Sequence, residues 1–206
     1  GDVIQKGEDI LTLHGKIKEV LILERTILNI MQRMSGIATH TKSIIDVCDD
    51  QVLICPTRKT HWGLLDKKAV ILGGGGTHRL GLYDFILIKD NHIAFAGKDV
   101  DKRLNEIKET KQFWEIEAKT EEQVNQFITY NPDVIMLDNF TPEQIKKTLE
   151  KTKQQDEQAT HTIFEASGGI TKDNVAEYAK SGVDLISLGA LTHSVTVLDI
   201  SLNIEI

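Results

Sequence analysis

After Asp50 the chain alternates six short apolar runs with amphipathic segments, and few folds accommodate that alternation. The runs are Val52-Leu53-Ile54-Cys55, Phe85-Ile86-Leu87-Ile88, Phe113-Trp114-Glu115-Ile116-Glu117, Asp133-Val134-Ile135-Met136-Leu137, Thr162-Ile163-Phe164-Glu165-Ala166 and Asp184-Leu185-Ile186-Ser187-Leu188. Apolar runs this short suit parallel strands covered on both faces. The segments between them carry helix starts. Thr120-Glu121-Glu122-Gln123 and Thr141-Pro142-Glu143-Gln144 both match a capping box, the second with Pro at the first helical position. Thr171 is expected to cap the next helix and Gly182 to end it. Six strands separated by helices predict a parallel α/β architecture with right-handed crossovers.

The first 48 residues read differently. Ile10-Leu11-Thr12-Leu13 is strand-like and closed by His14-Gly15, too little to fold alone. From Leu21 to Cys48 the apolar residues Leu23, Ile27, Ile30, Met31, Met34, Ile37 and Ala38 recur at helical spacing. One or two helices are expected, with Ser35-Gly36 as a break or a close-packing point. The chain opens at Gly1 in what reads as mid-domain sequence, so a preceding N-terminal part is expected.

Composition narrows the function classes. A formal charge of −7 over 206 residues argues against a general binder of nucleic acid or anionic membrane. The apolar runs are too short to span a bilayer, and secretion is not expected. Cys48 and Cys55 build neither a disulfide framework nor a CxxC metal site, so a reducing cytoplasm fits.

The residues just after each predicted strand point to chemistry. The first strand runs into Thr57-Arg58-Lys59-Thr60 and the second into Lys89-Asp90-Asn91-His92. The third carries Glu115 and Glu117, and the fourth ends at Asp138-Asn139. The fifth ends at Ser167-Gly168-Gly169, and the sixth at Gly189-Ala190. Polar residues and glycines thus gather at the carboxyl ends of the strands, where α/β barrels and open sheets place ligands.

Between Arg58 and His92 six Lys/Arg face three acids, a basic stretch suited to a small polyanion. Arg58, Lys59, Arg79 and Lys89 fall at strand ends or beside a glycine loop. Lys67 and Lys68, in a predicted helix from Trp62 to Leu72, read as solvated surface charges. Gly73-Gly74-Gly75-Gly76 either turns its N–H groups toward an anion or is a flexible loop. Ser167-Gly168-Gly169 and Gly189-Ala190 match the place where barrels form a phosphate site after their last two strands. Glu117 and Asp138, from neighbouring strands, suit a Mg²⁺ ion or a developing cation.

A longer set of motifs carries a resemblance. Glu24-Arg25-Thr26, Ser35-Gly36-Ile37-Ala38-Thr39, Thr57-Arg58-Lys59-Thr60, His78-Arg79-Leu80-Gly81-Leu82-Tyr83-Asp84, Leu87-Ile88-Lys89-Asp90-Asn91-His92, Met136-Leu137-Asp138-Asn139-Phe140, Glu165-Ala166-Ser167-Gly168-Gly169-Ile170 and Gly189-Ala190-Leu191-Thr192-His193-Ser194 resemble, in that order, the quinolinate phosphoribosyltransferases. The resemblance implies an N-terminal α/β sandwich, whose end and linking helices are residues 1–48, and an incomplete α/β barrel over residues 49–195. Residues 196–206 would return to the sandwich. It implies transfer of the phosphoribosyl group of PRPP to quinolinate with loss of CO2, giving nicotinate mononucleotide and pyrophosphate in NAD biosynthesis. The enzyme would be a homodimer or larger assembly.

In that family Arg25 would reach the neighbouring subunit's site, and Arg58, His78 and Arg79 would hold the quinolinate carboxylates with Lys89 close by. Lys59, Lys89, Glu117 and Asp138 are the expected catalytic groups, with Mg²⁺ at the last two. Lys59 and His193 would face PRPP, and Ser167, Gly168, Gly169, Gly189 and Ala190 would take phosphate. The charges agree, since a dianion and a polyanion need several cations and planar Arg suits carboxylates. Two rival readings are a paralogue acting on another substrate, of the kind associated with molybdenum transport, and a non-catalytic sensor of a phosphorylated metabolite.

Overall fold

The computed structural model describes residues 1–155 and 161–204. Six strands form one parallel sheet: β1 (Leu53–Pro56), β2 (Ile86–Ile88), β3 (Trp114–Ala118), β4 (Val134–Asp138), β5 (Ile163–Ser167) and β6 (Leu185–Leu188). Each starts one residue later than its apolar run. The order across the sheet is β1-β6-β5-β4-β3-β2. Strands β2 to β6 therefore follow in chain order, and β1 docks on β6 rather than on β2. A seam stays open between β1 and β2, and the sheet is an incomplete barrel.

Helices cover one face only. They are α1 (Ile17–Ile45), α2 (Leu64–Leu72), α3 (Asp90–Ala96), α4 (Val100–Glu109), α5 (Glu121–Ile128), α6 (Pro142–Gln155), α7 (Val175–Ala179) and α8 (Ala190–His193). Ile54, Ile116, Ile135, Leu137, Phe164 and Ile186 meet Ile37, Val70, Leu104, Phe127, Ile145 and Val175 of the helices in one buried cluster. The opposite face is covered too, as expected, but by the barrel interior, and it is not apolar throughout. Across it Glu117 is in register with Met136, Met136 with Glu165, and Glu165 with Leu185. The next row joins Asp138, Ser167, Ser187 and Cys55. This inner face turns toward the barrel interior, so polar side chains survive there.

Local signals explain several boundaries. Thr141 and Gln144 form a reciprocal box at the start of α6: the Gln144 N–H reaches Thr141 Oγ1 at 3.3 Å and the Thr141 N–H reaches Gln144 Oε1 at 2.8 Å. At α5 the box is half made, because Gln123 Oε1 accepts from the Lys119 N–H instead. Thr171 does not cap the next helix. The Asn174 side chain takes its N–H at 2.8 Å, folding 171–174 into a turn ahead of α7. Gly182 follows α7 with φ +96°.

The N-terminal region holds one helix, unbroken at Ser35-Gly36. Gly36 is the close-packing point: a Cβ there would lie 2.1 Å from the Thr196 carbonyl oxygen, so the chain after α8 can cross the helix. The Leu198 N–H bonds Gln32 O at 3.0 Å and Gln32 Nε2 bonds Ile200 O at 2.8 Å. Ile10–Leu13 is extended but is not a strand, because no neighbouring segment among the described residues pairs with it; Ile10, Leu11 and Leu13 line a cleft with α1 and Ile200–Leu202. No helix among the described residues is long and apolar enough to cross a membrane.

Candidate active site

The loop after β1 carries Arg58 and Lys59 outward while its backbone is tied down from three sides. Asp66, in the first turn of α2, has no exposed surface. Its Oδ1 accepts from Arg33 Nε at 2.7 Å, and its Oδ2 accepts from the other arm of the Arg33 fork at 2.8 Å, from the Trp62 N–H and from the Thr60 hydroxyl. Burial alone would push the Asp66 carboxyl up, but these donors outweigh it and hold it below its ordinary value. Arg33 also donates to Thr192 O at 3.0 Å and lies 5.2 Å over the Trp62 ring. Thr192 in turn donates its hydroxyl to Lys59 O at 2.8 Å. One ion pair thus joins α1, α2 and α8 to the loop that presents two cations.

The four glycines answer the question posed by their sequence. Each of their N–H groups is spent on a carbonyl: Gly73 on Ala69 and Val70, Gly74 on Ile71, Gly75 on Val70, and Gly76 on Ile54 at 2.8 Å. They therefore do not cradle an anion. Gly74 is held left-handed at φ +93°, and the other three are crowded, with a Gly75 Cβ falling 2.8 Å from Ile54 O and a Gly76 Cβ 2.7 Å from Cys55 Sγ. This packing lays the segment along the free edge of β1 and sends Thr77-His78-Arg79 across the open seam.

Lys67 corrects the sequence reading. It is 2% exposed, not solvated, and its Nζ donates to Thr77 O at 2.5 Å and Arg79 O at 2.7 Å. Burial lowers its pKa. Lys68 is exposed, as expected. His78 enters the interior, its Nε2 3.0 Å from Glu165 Oε2 of β5 and 3.4 Å from Glu115 Oε2 of β3. A residue laid beside β1 that touches both β3 and β5 requires the sheet to be curled around it. Burial alone would lower the His78 pKa, but the two glutamates carry it up to about 9, and burial pushes Glu115 up as well. Both ring nitrogens of His78 are engaged within the chain, Nδ1 by the Arg79 N–H at 2.8 Å.

Arg79 itself is 8% exposed, and among the described residues its guanidinium has no hydrogen-bonding or ion-pair partner. Burial and the neighbouring Arg58 charge lower its pKa. The guanidinium of a nearly buried residue, beside a second one and with no anion from the described residues, is a receptor for an anionic group.

The remaining residues line the rest of the rim. Lys89 Nζ meets Glu117 Oε2 at 2.5 Å across the β2–β3 pair, and Lys119 Nζ meets Asp90 Oδ2 at 2.5 Å. Burial and the Glu117 charge push the Asp138 carboxyl up, so the two carboxylates share one patch of negative potential. Asn139 Nδ2 donates to Asp138 at 2.9 Å, and the Asn139 N–H bonds Ser167 O at 2.8 Å. Gly168 has φ +93°, and a Cβ there would fall 2.3 Å from Asn139 Oδ1, which requires glycine on both counts. Gly169 is also left-handed, with φ +62°. Ser187 Oγ bonds Ser167 Oγ at 2.9 Å. A Cβ on Gly189, just before Ala190 opens α8, would sit 2.9 Å from the His193 ring and 3.4 Å from Thr57 Oγ1, so the loops after β6 and β1 touch. His193 is exposed, its Nδ1 2.6 Å from Ser194 Oγ.

A family model described as "Quinolinate phosphoribosyl transferase, C-terminal domain" matches residues 37–203, and one for the N-terminal domain of the same family matches residues 1–35. The chain belongs to the quinolinate phosphoribosyltransferase family. It is 44% identical over 211 aligned residues to the probable nicotinate-nucleotide pyrophosphorylase [carboxylating] of Bacillus subtilis, covering 100% of this chain and 71% of that one. The corresponding protein of Methanocaldococcus jannaschii is 45% identical, over 95% of this chain and 72% of its own. Among solved structures, the nicotinate-nucleotide pyrophosphorylase of Ehrlichia chaffeensis superposes with a TM-score of 0.82 at 38% identity, over 90% of this chain and 67% of that one. That of Francisella tularensis gives 0.80 at 36%, over 90% and 65%. The chain thus spans about two thirds of the length of these solved relatives.

Within this member of the family the rim gathers Arg58, Lys59, Arg79, Lys89, Glu117, Asp138, Ser167, Gly168, Gly169, Gly189, Ala190 and His193 at the carboxyl ends of the strands, with His78 beneath. Arg25 is not joined to them: its side chain is 77% exposed and, among the described residues, forms an ion pair with Glu24 alone, at 3.4 Å. Sequence reasoning missed Arg33, Asp66 and the buried role of Lys67, which a single sequence shows only as ordinary helix charges. Glu115 and Glu165 were visible, since each lies two residues before a rim residue and so shares its face of the strand.

Proposed function

We propose that this chain catalyses transfer of the phosphoribosyl group of PRPP to quinolinate, with release of pyrophosphate and CO2, forming nicotinate mononucleotide. The observation that carries the reading is the guanidinium of the nearly buried Arg79, without a partner among the described residues, beside Arg58 and within the same rim as the Glu117–Asp138 patch. The two arginines and Lys89 suit the two carboxylates of quinolinate, and Lys59, His193 and the Ser167-Gly168-Gly169 turn suit the phosphates of PRPP. As pyrophosphate departs, positive character grows on the ribose, and the Glu117 and Asp138 carboxylates are placed to oppose it. CO2 then leaves with its bonding electrons held on the ring carbon beside the pyridinium nitrogen, where nearby cations favour the developing negative charge until a proton from solvent takes the place of CO2.

Mg²⁺ fits this rim as a proposal. Glu117 and Asp138 offer hard oxygen donors, each with one oxygen already committed to Lys89 or Asn139. That suits an ion held by one or two carboxylates plus substrate phosphates, which it would neutralise. A homodimer or larger assembly is proposed as well, with Arg25 completing the neighbour's site; its exposed side chain supports this. Free, buried Cys48 and Cys55 support a reducing, cytoplasmic location.

Turnover of quinolinate and PRPP with CO2 release tests the function. Quinolinate should be preferred over nicotinate by about 10⁴-fold in kcat/KM, because a monocarboxylate leaves a buried donor unpaired. Comparable values for the two acids, or full turnover in excess chelator, would refute the dicarboxylate and Mg²⁺ assignments respectively. For the shared site, Arg25→Ala and Arg58→Ala chains mixed together should recover activity that neither has alone.

A further inference from the structure

Glu115 and Glu165 have no exposed surface, and three of their four carboxyl oxygens lack a hydrogen-bond partner among the described residues. Buried carboxylates in that condition are costly and call for a reason. They lie one layer beneath the rim, two residues before Glu117 and Ser167 on their strands, so the proposed chemistry does not use them.

What stands between them is His78. Its Nδ1 accepts the Arg79 N–H at 2.8 Å, so in the neutral ring the proton sits on Nε2, the atom that faces Glu165 at 3.0 Å and Glu115 at 3.4 Å. The same geometry disfavours a metal ion in the cluster. A metal on Nε2 would move the ring proton to Nδ1, against the Arg79 N–H. His78 has φ +50°, a left-handed conformation that a bulky side chain keeps only when its surroundings over-determine it. On the far side of the segment Lys67 holds the Thr77 and Arg79 carbonyls.

We infer that Glu165 is a positioning residue, with Glu115 as a second charge 3.4 Å from the same nitrogen: by accepting the Nε2–H of His78 from inside the barrel it holds residues 77–79 across the open seam and aims Arg79 at the substrate rim. The inference rests on the proposed phosphoribosyl transfer for its effect on turnover, though not for its structural readouts. Arg79 is the first residue after the gripped histidine, so a ring that lets go releases both the Arg79 amide and the guanidinium beyond it.

The test uses the full chain labelled with ¹⁵N. In the wild type above about pH 9, where the ring is neutral, His78 should be the Nε2–H tautomer, and the Arg79 amide should be protected from hydrogen exchange. Glu165→Leu removes the acceptor and should speed Arg79 exchange about 10-fold or more. It should also raise the quinolinate KM by up to about 10²-fold, the cost of a small misplacement, with a much smaller change in the PRPP KM. Glu165→Gln keeps an acceptor oxygen in the same place and should restore most of the protection and of the KM. If the Leu variant does not fold, Glu165→Asp, which withdraws the acceptor by one carbon, should lose protection where Glu165→Gln keeps it. An Nδ1–H tautomer of the neutral ring, a stoichiometric metal whose removal changes the tautomer, or variants with unchanged Arg79 exchange would each overturn the inference. A wild type that does not turn over quinolinate would refute the functional reading and leave the tautomer and exchange results to decide this one.

Discussion

The loop after β1 and the segment before β2 both deliver guanidinium groups to one rim, yet they are anchored by opposite electrostatic arrangements. Behind the first stands a matched pair, Arg33 and Asp66, in which both carboxylate oxygens accept charged hydrogen bonds and hydroxyl or backbone donors complete the set. Behind the second stand two carboxylates around one histidine, with three oxygens lacking partners. The first anchor is neutral and self-sufficient. The second holds surplus negative charge that His78, Lys89 and Arg79 offset. The difference teaches that burial of charge near a site can serve two ends: the first arrangement stabilises a loop, and the second keeps a cation poised at the cost of local stability.

The sharpest way to break the comparison is Arg33→Leu. It strands Asp66, wholly buried, without its cation, and removing one member of a buried pair costs about 3–5 kcal/mol. Urea unfolding should show the midpoint falling with an unchanged slope. The double variant Arg33→Leu with Asp66→Leu should recover part of that loss. A single variant as stable as the wild type would show the pair to be idle.

A smaller effect is expected at the seam. Lys67→Met leaves two buried carbonyls short of a donor, a loss of about 1–3 kcal/mol. It should also raise the KM for quinolinate, because the same carbonyls frame Arg79, whereas Lys68→Met, altering an exposed neighbour, should change neither quantity.

The smallest and most informative effect is on pH. Asp66 is depressed in the folded state, so its contribution is present above its ordinary value of 3.8 and is lost as pH falls through the lower folded value. The His78 cluster is raised, so its contribution is full below 6.5 and is lost as pH rises through about 9. Thermal unfolding should therefore show an acid limb that Asp66→Asn flattens and an alkaline limb that His78→Gln flattens. If either substitution flattened the opposite limb, the assignment of the two anchors would be reversed.

Much of this molecule is written locally. The six strands follow from six apolar runs, and the reciprocal cap at α6 follows from Thr141 and Gln144, because ladders and caps depend on neighbours a few residues apart. The rim was legible too: strand ends are places of known polarity, and Arg58, Lys59, Arg79, Lys89, Glu117 and Asp138 stand at or beside them. Where local reading failed, partners distant in the chain decided the outcome. Ile10–Leu13 has strand character but no ladder partner among the described residues. The four glycines have the conformational freedom of an anion loop, but Ile54 and the end of α2 take their N–H groups.

The charges divide along the same line. Sequence alone determined that cations and carboxylates would meet at one end of a parallel sheet, because strand parity and strand direction are properties of the chain. Only the tertiary structure decided which charges are paired, which are buried and which are left for a ligand. Lys67 and Lys68 are adjacent and chemically identical, yet one is locked beneath the seam and the other is in solvent. Their difference comes from the carbonyls of Thr77 and Arg79, brought over α2 by a chain that crosses the open edge of β1. Coulombic and desolvation energies depend on distance in space, and the curl of the sheet sets those distances.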